Sequence, residues 1–414
     1  VPANVALQVV GVGPLPVVTS ASTASGTVGV AFTYAITATN SPTSFAATGL
    51  PPGLTINTAT GAITGTPTTA GTFSGSVSAT NPNGTGSLPT TFTIAAAPAT
   101  GPFAYVPIFN NFAGSTVSVI DLPTNTLATT INVGLGPVSA AVNFAGTKAY
   151  VANQQANSVS VIDTATNTVV TTVPVGSQPG GVAVNPADSR VYVPNQTGNS
   201  LSVIDTATNT VTATVTGLGF PVAAVVHPTG LKAYVALNSA NALGVIDTTT
   251  NTLSNSIPVC SAPYQPVIDA AGTKVYVVCT SGNVSVVDTA TGSVVATVPV
   301  GTNARGIAIT AGGNEVWVTN TGSNNVSVIS TATNAVINTL TAGTGPWGLA
   351  SNAAGTRIYV ANNGSNNVSV FDTANKLVLA TVATGTGPIG TGQFLQPAAV
   401  AAVPALILTP STLN

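Results

Sequence analysis

The sequence predicts an all-β protein in which a seven-bladed β-propeller follows a small β-sandwich. Three observations carry this prediction. A five-residue segment, VSVID with small variations, recurs seven times at intervals of 41 or 42 residues. Each interval holds short runs rich in Val, Ile, Thr and Tyr, which are strand-forming residues. Residues 20–97 lack this repeat and alternate apolar and polar positions between Gly and Pro turns, as the strands of a sandwich do.

The repeat has three landmarks in every unit. The last position of VSVID is Asp121, Asp163, Asp205, Asp247, Asp288, Ser330 and Asp372. An aromatic–Val pair begins at Tyr105, Tyr150, Tyr192, Tyr234, Tyr276, Trp317 and Tyr359. A short apolar run opens with Pro137, Pro179, Pro221, Pro263, Ala304, Pro346 and Pro388. Four strands repeating about every 40–45 residues are typical of propeller blades, which stack around an axis to bury their faces.

The ends of the repeat region predict how the ring closes. The second unit contains the runs GGVAV, VYVPN, LSVID and VTATV, whereas the first unit, near Tyr105, lacks the inner run. The segment PIGTGQF, from Pro388 to Phe394, matches an inner strand that has no blade of its own. We therefore expect this segment to complete the first blade, which removes an open sheet edge.

Two parts of the chain resemble known families. The segment YVAN, from Tyr150 to Asn153, followed by VSVIDTATNTVVTTVPVG, resembles the YVTN-type repeat of bacterial and archaeal surface propellers, over residues 101–394. Members of that family are typically extracellular or surface-attached, and most have no assigned chemistry. The resemblance therefore implies the fold and a surface location more than an activity.

The N-terminal segment resembles an immunoglobulin-like domain of bacterial and archaeal surface proteins. The strands FTYAITATN and FSGSVSATN flank LPPGLTINTATGAITGTPTTAGT, from Leu50 to Thr72, which has the LPxGL and G-x-I-x-G-x-P pattern of that family. Such domains serve as spacers or adhesion modules. We expect this domain at residues 20–97, with a linker from Ala95 to Pro102 before the propeller at 101–394.

The composition limits the functions that are possible. Of all residues 44% are hydrophobic and only 4% are charged, where about 25% charged residues is usual. No apolar run reaches the ~18–20 residues of a membrane-spanning helix, so we expect a polar, uncharged surface and no transmembrane segment. The net charge of −2 provides no basic field for nucleic acid. The chain has no Met, which indicates a secreted chain without its signal peptide; trimming for another reason is the alternative.

Both ends of the chain are apolar and belong to neither domain. Residues 1–19 and 395–414 contain no charged residue. They either pack on their own chain as linkers, or each adds as a strand to a neighbouring molecule. Repeated head-to-tail addition of this kind produces a filament, so the second alternative predicts self-association.

The charged residues do not suggest catalysis. The Asp residues that end VSVID precede a turn, TATN or a variant of it, in which Asp caps backbone amides. The only histidine, His227, aligns with polar residues at the ends of other inner strands, so we expect it to cap backbone as well. A zinc site needs about four clustered ligands, which this chain does not supply. We predict no catalytic residue, metal or cofactor, and we expect Lys376 in an exposed turn.

One repeat position suggests a ligand site. Arg305 follows the residue that opens its inner strand, and two aromatic residues, Tyr264 and Trp347, occupy the same position in neighbouring units. Inner strands line the central channel of a propeller, so these side chains are expected at one mouth of it. They either form a small binding site, through stacking and a guanidinium, or simply fill the channel.

Covalent features are also suggested by the sequence. Cys260 and Cys279 fall at the same pole of one predicted blade, where they either form a disulfide typical of secreted proteins or remain separate thiols. The Asn-x-Ser/Thr pattern for glycosylation occurs at Asn83, Asn195, Asn283, Asn325, Asn363 and Asn367. Turn preference alone can place Asn at four of these positions.

Three functions follow from these features, in order of preference. The first is a non-enzymatic structural subunit of an extracellular filament or surface layer, assembled through the terminal segments. The second is an adhesin or binding module that recognises a glycan or a protein on one propeller face. The third is a quinoprotein-like propeller enzyme, which would require unrepeated acidic residues in the central channel.

Overall fold

The computed structural model describes residues 13–95 and 101–396, which form two compact units within Val1–Ala99 and Thr100–Asn414. The described residues contain strands and turns and no helix, so the predicted all-β class is confirmed. No helix that could cross a bilayer is found among them.

The first unit is a β-sandwich of two sheets, with strand orders β1-β7-β6-β3 and β2-β5-β4. Ile63, Val77 and Phe92 form its fully buried centre. A Cβ on Gly53, in the LPPGL segment, would collide with the Thr66 carbonyl oxygen, so this close approach requires glycine. The strands are β1 (Thr23–Thr27), β2 (Phe32–Ala35), β3 (Ser44–Thr48), β4 (Leu54–Ile56), β5 (Ala62–Gly65), β6 (Gly71–Asn81) and β7 (Gly84–Ala95).

The described part of the N-terminal extension lies against this sandwich. The Asn81 amide donates to the Pro14 carbonyl and the Asn40 amide to the Leu15 carbonyl, at 3.1 and 2.6 Å. The Thr39 amide donates to the Val17 carbonyl. Residues 14–17 therefore pack on their own chain, while 1–12 lie outside the described residues.

The second unit is a ring of seven blades, as predicted. The first four blades contain β8 (Phe103–Ile108), β9 (Thr116–Asp121) and β10 (Thr126–Asn132); β11 (Pro137–Val142), β12 (Lys148–Asn153), β13 (Ser158–Asp163) and β14 (Thr168–Pro174); β15 (Ala183–Val184), β16 (Arg190–Asn195), β17 (Ser200–Asp205) and β18 (Thr210–Thr216); and β19 (Pro221–Val226), β20 (Lys232–Leu237), β21 (Ala242–Asp247) and β22 (Thr252–Pro258).

The remaining three blades have the same order, with sheet neighbours consecutive in sequence. They contain β23 (Pro263–Ile268), β24 (Lys274–Cys279), β25 (Asn283–Asp288) and β26 (Ser293–Pro299); β27 (Ala304–Ile309), β28 (Glu315–Asn320), β29 (Asn325–Ser330) and β30 (Ala335–Thr341); and β31 (Pro346–Ser351), β32 (Arg357–Asn362), β33 (Asn367–Asp372) and β34 (Val378–Ala383).

Burial follows the sequence pattern within each blade. The two middle strands, such as β12 and β13, are buried on both faces and consist mainly of Val, Ile, Tyr and Ser. The outer strands are mostly exposed; β14 alternates exposed with half-buried or buried positions, whereas β22 buries only Ile257. The turn before the outer strand is capped as predicted in the six blades that have Asp there; in the second blade, the Asp163 carboxylate accepts from the Ala165 and Thr166 amides. These bonds hold the pKa of Asp163 below its usual value.

The ring closes in the predicted way. Residues 388–395 pair with β8 through antiparallel bridges from Ala104 to Leu395 and from Ile108 to Pro388. The Tyr105 amide donates to the Phe394 carbonyl at 2.8 Å, and the Phe394 side chain is fully buried. Because Leu395 is also buried, the beginning of the predicted C-terminal tail belongs to this closure. Residues 397–414 lie outside the described residues.

Lys376 is placed differently from the expectation of an exposed turn. It occupies the left-handed turn position that Asn167 and Asn209 hold in other blades, and its side chain is only 15% exposed. Its ammonium lies 2.6 Å from both carboxylate oxygens of Glu315 in the preceding blade. The Trp317 indole N–H donates to that carboxylate at 3.0 Å. Glu315, Trp317 and Lys376, which all depart from the repeat, therefore bind one another where the sixth and seventh blades meet.

Candidate ligand site at the channel mouth

One mouth of the propeller channel is a cavity of about 380 Å³. Its lining includes the second position of every inner-strand segment, namely Val138, Gly180, Val222, Tyr264, Arg305, Trp347 and Ile389. Of these, only the arginine is charged. The side chains at this repeat position, which the sequence had indicated as a possible ligand site, thus meet in a single cavity.

A β-bulge directs these side chains into the channel. In the fifth blade, the register between the inner strand β23 and its neighbour β24 shifts between Pro263 and Gln265. In the sixth blade, the register between β27 and β28 shifts between Ala304 and Ile307. Such an irregularity re-aims the side chain that it contains. Tyr264 and Arg305 fall within the two shifts, so the bulge is the local reason that they face the channel mouth.

Arg305 lies over two aromatic rings. Its Cζ is 4.1 Å from the Trp347 ring centroid and 5.1 Å from the Tyr264 ring centroid. The Trp347 indole N–H donates to the Tyr264 hydroxyl at 3.2 Å, which holds the two rings together. The ring faces stabilise the guanidinium charge by cation–π attraction. The structure therefore brings together the three residues predicted for this mouth.

Two polar side chains of this cavity, those of Arg305 and Gln265, have atoms without a partner among the described residues. Arg305 forms no ion pair there: the pairs in residues 13–95 and 101–396 are Arg190–Asp205 and Lys376–Glu315. Its buried Nε has no hydrogen-bond acceptor. Gln265, only 7% exposed, also has an unpartnered Oε1 in the lining. Buried polar groups are normally satisfied, so these two atoms leave hydrogen-bonding capacity unused beside the cavity.

Several further lining residues were not identified from the sequence. Amide side chains surround the cavity, and one pair, Gln154 and Gln196, is joined by a 2.9 Å hydrogen bond. Phe109 and Phe112 form an edge-to-face pair with ring centroids 4.5 Å apart. They lie in a loop of the first blade that is three residues longer than its counterparts in five other blades and four longer than that of the fifth blade. That extra length is the sequence signal that could have revealed them.

The other single residues have structural surroundings. His227 Nδ1 lies 2.8 Å from the Thr229 hydroxyl, and its Nε2 lies 3.1 Å from the Gly272 carbonyl oxygen. These contacts hold the imidazole in a turn, outside the channel lining. No group of three or more His, Cys, Asp or Glu in the described part of the chain is arranged to hold a metal ion. That the chain is not an enzyme stays a prediction.

The two cysteines are joined. Cys260 and Cys279 form a disulfide with a Cα–Cα distance of 5.9 Å. Cys279 is fully buried at the end of β24, and Cys260 precedes the inner strand of the same blade. The link therefore fastens the entrance of the fifth blade to its second strand.

The glycosylation patterns differ in accessibility. Asn195 is fully buried, and its amide donates to the Ser200 and Ser202 hydroxyls, which removes it from the expected acceptors. Asn83 is exposed. The other candidates are half-buried, namely Asn283, Asn325, Asn363 and Asn367.

Comparison with known proteins supports the two folds. Residues 15–96 match the protein family described as "Putative Ig domain". No curated protein matches the chain. Among solved structures, hydrazine synthase of Kuenenia stuttgartiensis is similar, with a TM-score of 0.57 and 25% identity, over 62% of this chain and 88% of that one.

Two further solved structures have the same kind of fold. A functionally unknown protein from Desulfotomaculum acetoxidans aligns with a TM-score of 0.59 and 15% identity, over 70% of this chain and 99% of that one. The β-propeller domain of Cps50 (Swd1) from Myceliophthora thermophila aligns with a TM-score of 0.55 and 12% identity, over 62% and 88%. At these identities the likeness concerns the fold alone. The chain thus carries an Ig-like domain and a β-propeller, as the resemblances predicted.

Proposed function

We propose that this chain is a non-enzymatic extracellular or cell-surface binding module whose propeller recognises a glycan at the channel mouth. The observation that carries the proposal is Arg305, lying over Trp347 and Tyr264 in a cavity where its charge has no described carboxylate partner. Small-molecule sites combine apolar walls with a few convergent polar groups. Ligand binding at the channel mouth is therefore preferred to assembly through the terminal segments, which the sequence alone had favoured.

A surface location is supported by independent features. The Ig-like family match and the disulfide both fit a protein of an oxidising compartment. A glycan is favoured over a protein partner because the cavity is concave and lined with amides. The alternative is that a flat face of the propeller recognises a protein, and that result would replace glycan binding as the function.

A panel of immobilised neutral and acidic oligosaccharides tests this function. We expect the full chain to retain at least one of them, and Trp347→Ala to lose that binding, because the indole both stacks and positions Tyr264. Phe144→Ala is the matched control, since Phe144 is 59% exposed and lies outside the cavity lining. Equal binding by wild type and Trp347→Ala would place recognition elsewhere and refute a function at this mouth.

Self-assembly into a filament or surface layer is the second candidate. The outer strands β10, β14, β18, β22, β26, β30 and β34 contain no charged residue. They also expose apolar side chains, for example Val170 at 54% and Val295 at 53%. Natural edge strands usually carry charges that block pairing with other chains, so uncharged edges favour strand addition by terminal segments of a second copy.

Electron microscopy of the full chain and of a variant restricted to residues 13–396 tests assembly. Cutting after Gln396 preserves the closing residues Phe394 and Leu395, so a loss of polymers would not reflect unfolding. Polymers formed only by the full chain would support assembly through the ends. Single particles from both proteins would exclude it.

A further inference from the structure

We propose that the channel mouth binds a saccharide that carries a carboxylate, and that Arg305 recognises that carboxylate. This inference rests on the proposed function, a glycan site at the channel mouth, and names the class of ligand. It is argued from the charge, the hydrogen-bonding capacity and the shape of the cavity.

The charge of Arg305 requires an anion to balance it. A guanidinium carries a positive charge, and no acidic residue is found among the described residues that line the cavity. Tyr264 and Trp347 stabilise the cation through their ring faces, but they carry no compensating charge. A cation held by aromatic rings in a partly enclosed site therefore attracts a negatively charged group from solution.

The shape of the guanidinium favours a carboxylate. Arg305 makes no hydrogen bond to a described residue, and its Nε is buried. A guanidinium presents N–H donors in one plane, which match the two oxygens of a carboxylate in a bidentate pair. The contact between Trp347 and Tyr264 holds their rings in place, which limits the orientations that the guanidinium can adopt.

The rest of the lining is suited to sugar hydroxyls. Gln265 lines the cavity, and its Oε1 has no donor among the described residues. Gln154, Gln196 and Asn238 add neutral donors and acceptors around the same cavity. Amides can both donate to and accept from a hydroxyl, so this set fits a polyhydroxylated ring better than an aliphatic acid.

The size and the rim also agree with a sugar. A volume of about 380 Å³ lies within the usual range of small-molecule pockets, roughly 300–1,000 Å³. Phe109, Phe112 and Phe220 contribute aromatic surface to the lining, on which the apolar face of a pyranose ring can pack. A terminal acidic sugar thus meets a cation, amides and aromatic rings in one site.

The test compares an acidic oligosaccharide with its own neutral form. Isothermal titration calorimetry of the full chain is carried out with trigalacturonic acid, with its full methyl ester, and with a trisaccharide that carries sulfate and no carboxylate. The ester keeps the rings and hydroxyls, removes the charges and adds only methyl groups. We expect the acid to bind about tenfold to a hundredfold more tightly than the ester, which is the effect of one charge-assisted hydrogen-bonded pair.

Two variants locate the effect. Arg305→Gln replaces the guanidinium with a shorter, uncharged amide, and it should bind the acid and the ester equally weakly. Arg190→Gln is the matched control, since Arg190 pairs with Asp205 and lies outside the cavity lining; it should bind as wild type does. Arg305→Lys should recover only part of the preference, because lysine lacks the planar donor pair.

The outcomes separate this inference from the proposed function. Equal affinity for acid and ester, or unchanged acid binding by Arg305→Gln, would overturn carboxylate recognition. Tighter binding of the sulfated sugar would show that the site selects another anion and would also overturn it. A neutral glycan that binds wild type but not Trp347→Ala would leave the mouth as a glycan site while refuting the acidic ligand. Absence of binding to all three saccharides at millimolar concentration would overturn the proposal as well.

Discussion

A glycine faces a buried asparagine in four of the seven blades. A Cβ on Gly301 would lie 2.6 Å from the Asn320 Cγ. The Asn320 side-chain amide donates to the Asn325 side-chain Oδ1 and the Ser327 hydroxyl at 2.7 and 2.9 Å. The asparagine thus fills the space that the glycine leaves, and its hydrogen bonds tie two middle strands together. The equivalent pairs are Gly134–Asn153, Gly176–Asn195 and Gly343–Asn362.

Two blades solve the same packing problem with other residues. In the fourth blade Leu218 and Leu237 occupy these positions and are buried in one apolar cluster. In the fifth blade the positions hold Cys260 and Cys279, which are bonded to each other. The disulfide is therefore a substitute for the Gly–Asn pair, placed at a site that every blade must fill.

This equivalence predicts a rescue of the disulfide. Asn283 and Ser285 occupy the positions of the two groups that accept from Asn320, so Cys260→Gly/Cys279→Asn should form the same hydrogen bonds. Cys260→Ala/Cys279→Ala should lose the disulfide, worth roughly 3 kcal/mol for a loop of this length, without compensation. We expect the Gly/Asn variant to be more stable than the Ala/Ala variant by about 1–3 kcal/mol, measured by urea unfolding. Equal stabilities would show that the positions are not interchangeable.

Among the elements, the contact between the sixth and seventh blades contains an ion pair, Lys376–Glu315. In two other contacts a blade tyrosine donates to a turn asparagine of the next blade: Tyr105 to Asn167 at 2.7 Å and Tyr359 to Asn125 at 3.3 Å. Between the sixth and seventh blades, the positions of tyrosine and asparagine hold Trp317 and Lys376. The Glu315 carboxylate joins them, because it accepts from both side chains. Strand β28 and the turn after β33 are therefore coupled through one carboxylate.

Reversing the charge at residue 315 should weaken the contact between the sixth and seventh blades. Glu315→Lys restores the residue type found in other blades but places two ammonium groups together, and it leaves the Trp317 N–H without its acceptor. We expect a loss of about 1–3 kcal/mol in the free energy of unfolding, below the 3–5 kcal/mol of a fully buried pair. The triple variant Glu315→Lys/Trp317→Tyr/Lys376→Asn should recover most of it. A triple variant as unstable as Glu315→Lys, in the same urea titration, would contradict this coupling.

For the molecule as a whole, the closing segment 388–395 should contribute more to the free energy of unfolding than its short length suggests. Phe394 is fully buried in a cluster that joins the first, second and seventh blades. Phe394→Ala should therefore cost about 3–5 kcal/mol, as for other buried phenylalanines. Phe144→Ala, at a position 59% exposed, should change stability by less than about 0.5 kcal/mol. Similar thermal shifts for the two variants would indicate that the ring does not depend on this closure.

The ring could be predicted from sequence because each landmark occurs seven times, so a single misaligned unit does not change the result. The channel mouth could be predicted only in part. Arg305, Tyr264 and Trp347 occupy one repeat position, but Gln265 and Phe112 face the cavity because of a bulge and an extended loop. Lys376 was expected in an exposed turn, but its ammonium pairs with Glu315, which itself replaces the usual Lys or Arg of another blade. Deviations from the repeat have no second copy against which to check them.

Alkaline pH should destabilise the whole ring through its buried tyrosines. Burial, together with a smaller contribution from a nearby aspartate, raises the pKa of Tyr150 and of Tyr276 to about 12. The usual value is 10.0, so between pH 10 and 12 these tyrosines ionise in the unfolded chain while they remain protonated in the folded one. The stability that they contribute is therefore complete below pH 10 and is lost as pH rises to 12.

The expected loss is about 1–2 kcal/mol for each of these tyrosines by pH 12. Tyr150→Phe/Tyr276→Phe removes two ionisable groups, so its free energy of unfolding should fall less steeply than that of wild type from pH 10 upward. The Phe394→Ala protein serves as control, because it is less stable throughout but retains both tyrosines and hence the wild-type slope. Parallel pH profiles for wild type and the double Phe variant, measured by urea unfolding, would exclude these two residues as the source of alkaline sensitivity.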